Sequence, residues 1–348
     1  MKSEFSKSTN DVRSESLIHL KDNDKLLEQQ QRISSVLNQC PDRLNCIVCG
    51  KLLADLFCFR HRAVDYISCP NCGHIQSKAQ PPIDYPVHNK EDGVSFSQIY
   101  PRLDRAAYNS RKERIYRPKL KWILRCHEEV GLSQDDMIAS RWMDLGCGGG
   151  YFLAALQDMG ADQICGLEKS SDLISVANEA LGRRVVQHYE DTLVNAVQNC
   201  DADIYTAFFV LEHIEDTRAF FEALRRRPTG TVFAFSVPTF GFATLLESSF
   251  VGHFARNLDS VIHTQLYTDS SIDYGLSQAG YERVAEWVFG QDALDLSRAL
   301  LVNICDKYPP TMLKTVSERL VKIQDQMQVV LDQHYLASER HILAVKKR

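Results

Sequence analysis

The sequence lacks any apolar run near the roughly 20 residues that a membrane-spanning helix needs. Its first 25 residues are polar and mixed in charge, without the apolar stretch of a secretory signal. It also lacks an excess of positive charge, since the net charge at pH 7 is −5, which is unfavourable for a dedicated nucleic-acid binder. These absences predict a globular, cytoplasmic protein that has no membrane partner.

Cysteine, by contrast, is plentiful, with eleven residues that include two C-x-x-C pairs. Each pair is followed by glycine, in the segments Cys46–Gly50 and Cys69–Gly73, and nineteen residues separate the pairs. Two residues between cysteines let both sulfurs reach one ion, and the glycine permits the tight turn behind them. Ordinary buried cysteines or a redox pair are the alternatives. The spacing favours one structural Zn²⁺ ion, in a closed shell with no open position for catalysis, held by Cys46, Cys49, Cys69 and Cys72.

From Trp142 onward, short apolar strands alternate with amphipathic helices, which is typical of a mostly parallel, doubly wound α/β sheet. Residues 1–40 have little strand pattern, and we expect disorder there apart from a short helix near residues 26–37. The other expected regions are a zinc-binding module at 41–92, a basic helical connector at 93–135 and an α/β domain at 136–348. Within that domain we expect a lid insertion at 239–268 and a helical part at 291–336.

The strand beginning at Trp142 runs into a glycine-rich loop, Asp144-Leu145-Gly146-Cys147-Gly148-Gly149-Gly150. Such loops bring the backbone close to a ligand at the carboxyl edge of an α/β sheet. A dinucleotide-binding oxidoreductase is the alternative, but its fingerprint keeps the position of Asp144 apolar. An acid there would repel a pyrophosphate, whereas it suits the ammonium group of an amino acid. At these residues the sequence resembles the class I S-adenosylmethionine-dependent methyltransferases, whose first motif is D-x-G-x-G-x-G.

The resemblance implies a Rossmann-like sheet of seven strands, the last of them antiparallel and placed near residues 340–346. It also implies S-adenosylmethionine as the cofactor and assigns roles by position. Asp144, Gly146 and Gly148 form the loop, and Glu168 ends the second strand, where a carboxylate can accept the ribose hydroxyls. Two acids, Glu190 and Asp191, are expected near the adenine. Phe208, at the end of the fourth strand, is expected to form one wall of the cofactor site.

Two histidines are candidates for removing a proton from the methyl acceptor. His213 lies in a Val-Leu-Glu-His segment after the fourth strand, and His263 closes the insertion after the fifth strand. Histidine can act as a base near neutral pH without a large change in its pKa. We therefore predict that His263 and His213 are catalytic, although a lone histidine can equally be structural.

A basic stretch at residues 102–125 contains nine Lys or Arg residues against two acids. It could be a solvated helix face, or it could bind the phosphate of an acceptor through Arg105, Arg111 and Arg114. The cysteine spacing resembles that of sugar methyltransferases with a Cys₄ module, which implies a phosphorylated or nucleotide-linked sugar as acceptor. Where that family carries Tyr-His-Glu-His, only His263 is present, so C-, O- and N-methylation stay open. An RNA methyltransferase and a non-enzymatic binding protein are the alternatives.

Overall fold

The computed structural model describes residues 1–9, 23–54, 56, 58–61, 64–81, 104–189, 192–250, 252–254, 256, 263–305 and 307–347. Within those ranges no helix is long and apolar enough to cross a bilayer. In chain order the strands are β1 Lys2–Phe5, β2 Cys58–His61, β3 Val64–Ser68, β4 Ile75–Ser77, β5 Trp142–Leu145, β6 Ile164–Glu168, β7 Val186–His188, β8 Ile204–Phe208, β9 Val232–Pro238, β10 Gln265–Leu266, β11 Tyr281–Val288 and β12 Glu339–Lys346.

The helices alternate with these strands from β5 onward, as the sequence pattern predicts. They are α1 Asn23–Leu37, α2 Arg105–Arg111, α3 Arg117–Arg125, α4 His127–Val130, α5 Gln134–Ala139, α6 Tyr151–Asp158, α7 Ser171–Leu181, α8 Leu193–Asn199, α9 Thr217–Arg225, α10 Phe242–Ser249, α11 Asp269–Ala279, α12 Asp292–Ile304 and α13 Pro310–Gln333. A π-helical turn, Lys112–Tyr116, joins α2 to α3, and a 3₁₀ turn, Leu211–His213, follows β8.

The large sheet has eight strands in the order β1-β11-β12-β9-β8-β5-β6-β7. Strands β5 to β9 are parallel to one another, and β12 lies antiparallel between β9 and β11. The expected Rossmann-like sheet with an antiparallel last strand is therefore confirmed. Because the parallel strands end at one edge and β12 begins there, that edge collects the loops that carry the expected site residues.

Strand β1 adds an eighth strand and corrects the expected disorder of the N-terminal segment. Lys2–Phe5 pairs in parallel with β11, the Ser3 hydroxyl donates to Glu286, and the Phe5 ring packs edge-on against Tyr335 at 5.7 Å. Four residues are too few to show a periodic pattern, and the exposed edge of β11 stabilises the strand through its unpaired backbone groups. Helix α1 includes the helix expected near 26–37, and residues 10–22 lie outside the described ranges.

A second, antiparallel sheet has the order β10-β4-β3-β2. Three of its strands belong to residues 41–81, here called the cysteine module, while β10 comes from the expected lid insertion. Its small core contains Leu37, Val64, Tyr66, Ile75 and Leu266. The module and the last part of the expected lid insertion are therefore parts of one sheet. Residues 82–92 of the expected module lie outside the described ranges.

Candidate functional site

Four cysteine sulfurs converge in the cysteine module. The Sγ atoms of Cys46 and Cys72 lie 3.6 Å apart, those of Cys49 and Cys69 lie 3.5 Å apart, and all four lie within 4.8 Å of one another. Sulfurs bound at about 2.3 Å to one tetrahedral zinc ion would be about 3.8 Å apart. The donor set therefore fits the metal expected from the sequence.

The backbone around the cysteines has the tight turns that the following glycines predict. The N–H of Gly50 donates to the carbonyl of Cys46 at 2.8 Å, and the N–H of Gly73 donates to the carbonyl of Cys69 at 2.7 Å. The contact between the Cys46 and Cys72 sulfurs lowers the pKa of the Cys46 thiol and raises that of the Cys72 thiol. It therefore favours one thiolate in this pair, and the thiolate is the form that binds metals.

His74 follows the second cysteine pair but makes a different contact. Its Nε2 atom lies 2.9 Å from Oε1 of Gln265, the first residue of β10. Burial lowers the pKa of His74 to about 3, so the imidazole is neutral and Nε2–H is the donor to the glutamine oxygen. His74 thus joins the cysteine module to the strand that follows His263.

The glycine loop lies between β5 and α6, and three of its four glycines, Gly146, Gly148 and Gly150, have left-handed backbone angles. Gly146 has φ +62°, and a Cβ atom added there would lie 2.8 Å from Val210. Gly148 has φ +54°, and an added Cβ would meet no atom within 4 Å. Gly148 therefore faces open space at the sheet edge, where a ligand could approach the backbone closely.

Two carboxylates flank this loop. Asp144 is buried, and its Oδ1 accepts from the Thr206 hydroxyl at 2.6 Å; burial raises the pKa of Asp144 to about 7. Glu168 accepts from the N–H of Gly148 through Oε2 and from the N–H of Ser170 through Oε1, each at 2.9 Å. The structure thus brings Asp144, Gly148 and Glu168 together. Glu190 and Asp191 lie outside the described residues.

Phe208 ends β8 and Phe209 follows it, and the two side chains contact different neighbours. Phe208 packs against Phe152 of α6 with ring centres 4.8 Å apart, whereas Phe209 lies edge-on to His341 at 5.8 Å. Phe209 has φ +56°, an unusual conformation for a residue with a side chain, and such strain is common beside functional sites. The Lys119 ammonium group lies 4.9 Å from the centre of each phenylalanine ring.

Three polar side chains meet just beyond β8 and the lid. The Nε2 atoms of His213 and His263 each lie 4.0 Å from Oε1 of Glu212, and the two imidazole rings are 5.3 Å apart. Glu212 is fully buried, and its carboxylate oxygens have no hydrogen bond to another described residue. Burial raises the pKa of Glu212 to about 8. The structure therefore brings the two expected bases together and adds Glu212 between them.

Lys119 of α3 connects the two halves of the site electrostatically. It is buried, and burial lowers the pKa of its ammonium group to about 7. Burial raises the pKa values of Asp144 at the glycine loop and of Glu212 beside the histidine pair, His213 and His263, and the charge of Lys119 opposes both increases. Lys119 is therefore electrostatically coupled to both carboxylates.

Some cations of the basic stretch expected to bind a phosphate pair with acids. Lys112 and Arg117 both pair with Asp158 of α6, the latter at 2.7 Å, and Arg117 also pairs with Glu113 at 2.7 Å. The guanidinium of Arg111 lies over the Tyr151 ring at 5.5 Å from its centre. These contacts hold the helical segment from α2 to α3 against α6.

Sequence reasoning missed three residues of this edge, namely Lys119, Glu339 and His341. Because β12 is antiparallel, its first residues lie beside the last residues of β9, with Glu339 opposite Pro238 and His341 opposite Ser236. The predicted antiparallel direction of the last strand could therefore have placed Glu339 and His341 at this edge. Lys119 gave no such signal, since the sequence of this basic stretch predicts either a solvated helix face or a phosphate site.

Comparisons with known proteins agree with this architecture. A family model for a methyltransferase domain matches residues 103–286, slightly more than half of the chain. A ubiquinone biosynthesis O-methyltransferase from Paraburkholderia phymatum is 29% identical over 121 residues, covering 33% of this chain and 48% of that protein. The chain thus spans about half the length of this curated relative.

Two solved structures align with the chain at low sequence identity. Magnesium protoporphyrin IX methyltransferase from Synechocystis, crystallised with bound SAH, aligns with a TM-score of 0.46 and 12% identity over 76% of this chain and 99% of that chain. A methyltransferase from Mesorhizobium loti that depends on S-adenosylmethionine aligns with a TM-score of 0.41 and 16% identity, over 68% and 99%. By the family match, the chain belongs to this methyltransferase domain family, and its strand order is that of the class I fold.

Proposed function

We propose that the enzyme transfers a methyl group from S-adenosylmethionine to a hydroxyl group of a small-molecule acceptor, with His263 as the base. The observation that carries this proposal is the convergence of His213 and His263, from two separate segments, on the buried carboxylate of Glu212. A base must lie within hydrogen-bond reach of the proton that it removes, and open α/β sheets bind their ligands at the carboxyl ends of the strands, where these histidines lie. The name of the curated relative, an O-methyltransferase, supports a hydroxyl acceptor.

The cofactor is proposed to bind at the glycine loop, where it supplies a methyl group carried on a sulfonium. Gly146 and Gly148 would let the backbone approach it, with Asp144 near its ammonium group and Glu168 near its ribose. The open space in front of Gly148 supports this placement. Phe208 would form a wall, and Glu190 and Asp191 would lie near the adenine.

The cysteine module is proposed to hold one zinc ion through its four cysteines. The sulfur spacing of 3.5–3.6 Å supports this proposal, and the closed set of four sulfurs gives the ion a structural role.

For the acceptor, the sequence favours a phosphorylated or nucleotide-linked sugar, and RNA is the alternative. Both hypotheses depend on the positive charge of the basic stretch that includes Arg111 and Arg114. The pairing of Lys112 and Arg117 with acids reduces the charge available there, and it weighs most against RNA, which needs many phosphate contacts. A small hydroxylated acceptor needs few such contacts.

The test is a transfer assay with labelled S-adenosylmethionine. Separate reactions would contain hydroxylated aromatic compounds, nucleotide-linked sugars and total RNA, each with the native enzyme and with His263→Ala. We expect label in a small molecule, and much less of it with the variant. Label in RNA, with a steep dependence on salt, would replace this proposal with the alternative.

A further inference from the structure

Strand β10 belongs to two parts of the molecule at once. Its residues Gln265 and Leu266 pair with Gln76 and Ile75 of β4 in the cysteine module. The same strand begins two residues after His263. The module therefore provides the strand against which the backbone beside His263 is aligned.

The side chain of Gln265 extends this connection to the other histidine. Its amide is fully buried; Oε1 accepts from Nε2 of His74 at 2.9 Å, and Nε2 donates to the carbonyl of Ile214 at 3.1 Å. Ile214 directly follows His213. One buried amide thus links the end of the second cysteine pair to the turn that carries His213.

A second set of contacts connects the cysteine module to the residues that follow His263 and His213. The N–H of Ser77, in β4, donates to the carbonyl of Thr264 at 2.7 Å. The Thr264 hydroxyl donates to Glu215 at 3.2 Å, and Arg43 of the module pairs with Glu215 at 2.7 Å. The side chain of Arg43 is itself 4% exposed, so this ion pair is shielded from water on one side.

The cysteine turn also contacts the main domain directly. The Thr268 hydroxyl donates to the carbonyl of Gly73 at 3.2 Å, and the N–H of Arg218, in α9, donates to the carbonyl of Ile47 at 2.9 Å. Both cysteine pairs therefore end against helices of the methyltransferase domain, and a shift of either turn would be transmitted to β4 and β10.

We propose that the cysteine module has a second function beyond stability: it sets the position of His263 relative to His213, with Gln265 as the positioning residue. This inference rests on the proposed function, in which the histidine pair acts on the acceptor and the four cysteines hold zinc. Zinc would fix the turn from Cys69 to Cys72, and the turn would fix His74, Gln265 and the two histidine segments in succession. Removing the metal would then displace the histidines without touching the glycine loop.

The experiment uses full-length protein labelled with ¹⁵N-histidine, whose side-chain NMR signals need no acceptor. His213→Gln and His263→Gln assign the two signals. Gln265→Leu removes both amide hydrogen bonds at similar volume, and Thr264→Val is a milder variant in case the first folds poorly. The matched control is Gln324→Leu, since Gln324 is a buried glutamine of α13 that donates to Ser297 at 2.9 Å.

We expect Gln265→Leu to move or broaden the His213 and His263 signals, and Thr264→Val to do so less, while Gln324→Leu leaves both in place. The native protein treated with a zinc chelator should show the same two changes, with less than a twofold change in its affinity for S-adenosylmethionine. Turnover on the acceptor found in the transfer assay should fall at least tenfold in Gln265→Leu with little change in KM.

Unmoved histidine signals in a folded Gln265→Leu protein would overturn the proposal. Equal changes in Gln324→Leu would also overturn it, because they would show a general loss of stability. Native protein without zinc would refute the metal assignment instead, and the Gln265 variants would still decide the positioning role.

Discussion

The imidazole rings of His213 and His263 lie 5.3 Å apart, although one follows β8 and the other closes the lid insertion. The 3₁₀ turn after β8 contains the first, and the second lies two residues before β10, which pairs with β4. The two candidate bases therefore lie beside elements of the methyltransferase domain and of the cysteine module.

The cysteine site predicts one zinc ion per chain. Cys69→Ser should lower the metal content well below one, because three protein ligands rarely hold a structural ion as well as four do. Cys305→Ser is the matched control, since Cys305 is an exposed cysteine of the C-terminal region. Elemental analysis of the two purified variants measures the difference. Full metal content in Cys69→Ser would contradict the assignment.

The glycine loop predicts that an added side chain blocks cofactor binding sterically, an effect that can be separated from backbone strain. Gly148→Ala and Gly182→Ala both place a side chain at positive φ, +54° and +69°, with no neighbour within 4 Å. Each should therefore cost a similar amount of stability, about 1–2 kcal/mol. Calorimetry should show at least tenfold weaker S-adenosylmethionine binding in Gly148→Ala alone, because its methyl group would occupy the cofactor's space. Equal affinities in the two variants would place the cofactor elsewhere.

Burial of Asp144 predicts a pH dependence of stability. Its pKa is raised to about 7 in the folded protein, against about 4 in an unfolded chain, so the folded protein retains a proton that the unfolded chain loses between these values. As pH rises through this window, Asp144 therefore lowers the free energy of unfolding. Asp144→Asn keeps the acceptor for Thr206 and should gain stability relative to the native protein from pH 4 to 7. Urea unfolding at several pH values measures this difference. If the free energy of unfolding depends on pH in the same way in both proteins, the pKa of Asp144 is not raised.

Much of this architecture could be predicted because its signals are local. The Asp144–Gly150 loop, the alternation of strands and helices, and the C-x-x-C pairs are each complete within a few residues. The antiparallel last strand followed from the resemblance and is confirmed as β12, Glu339–Lys346.

The features that could not be predicted depend on contacts between distant segments. Strand β1 is too short to have a pattern of its own, and it forms because β11 offers an unpaired edge. Glu212 resembles an ordinary helix-start residue in the sequence; its burial between two histidines appears only once β10 is aligned on β4. Lys119 has the sequence context of a surface cation, yet it lies under Phe208 and Phe209.

The histidine pair predicts a loss of turnover without a loss of cofactor binding. If removal of the acceptor's proton limits the rate, His263→Ala should lower turnover by about 10²–10⁴-fold. Its affinity for S-adenosylmethionine should be unchanged, because the glycine loop lies on other strands. His334→Ala, an exposed histidine at the end of α13, is the control and should keep full turnover. Turnover is measured with the acceptor found in the transfer assay, and affinity for S-adenosylmethionine is measured by calorimetry. A folded His263→Ala enzyme with native turnover would exclude the catalytic role and leave His213 as the remaining base.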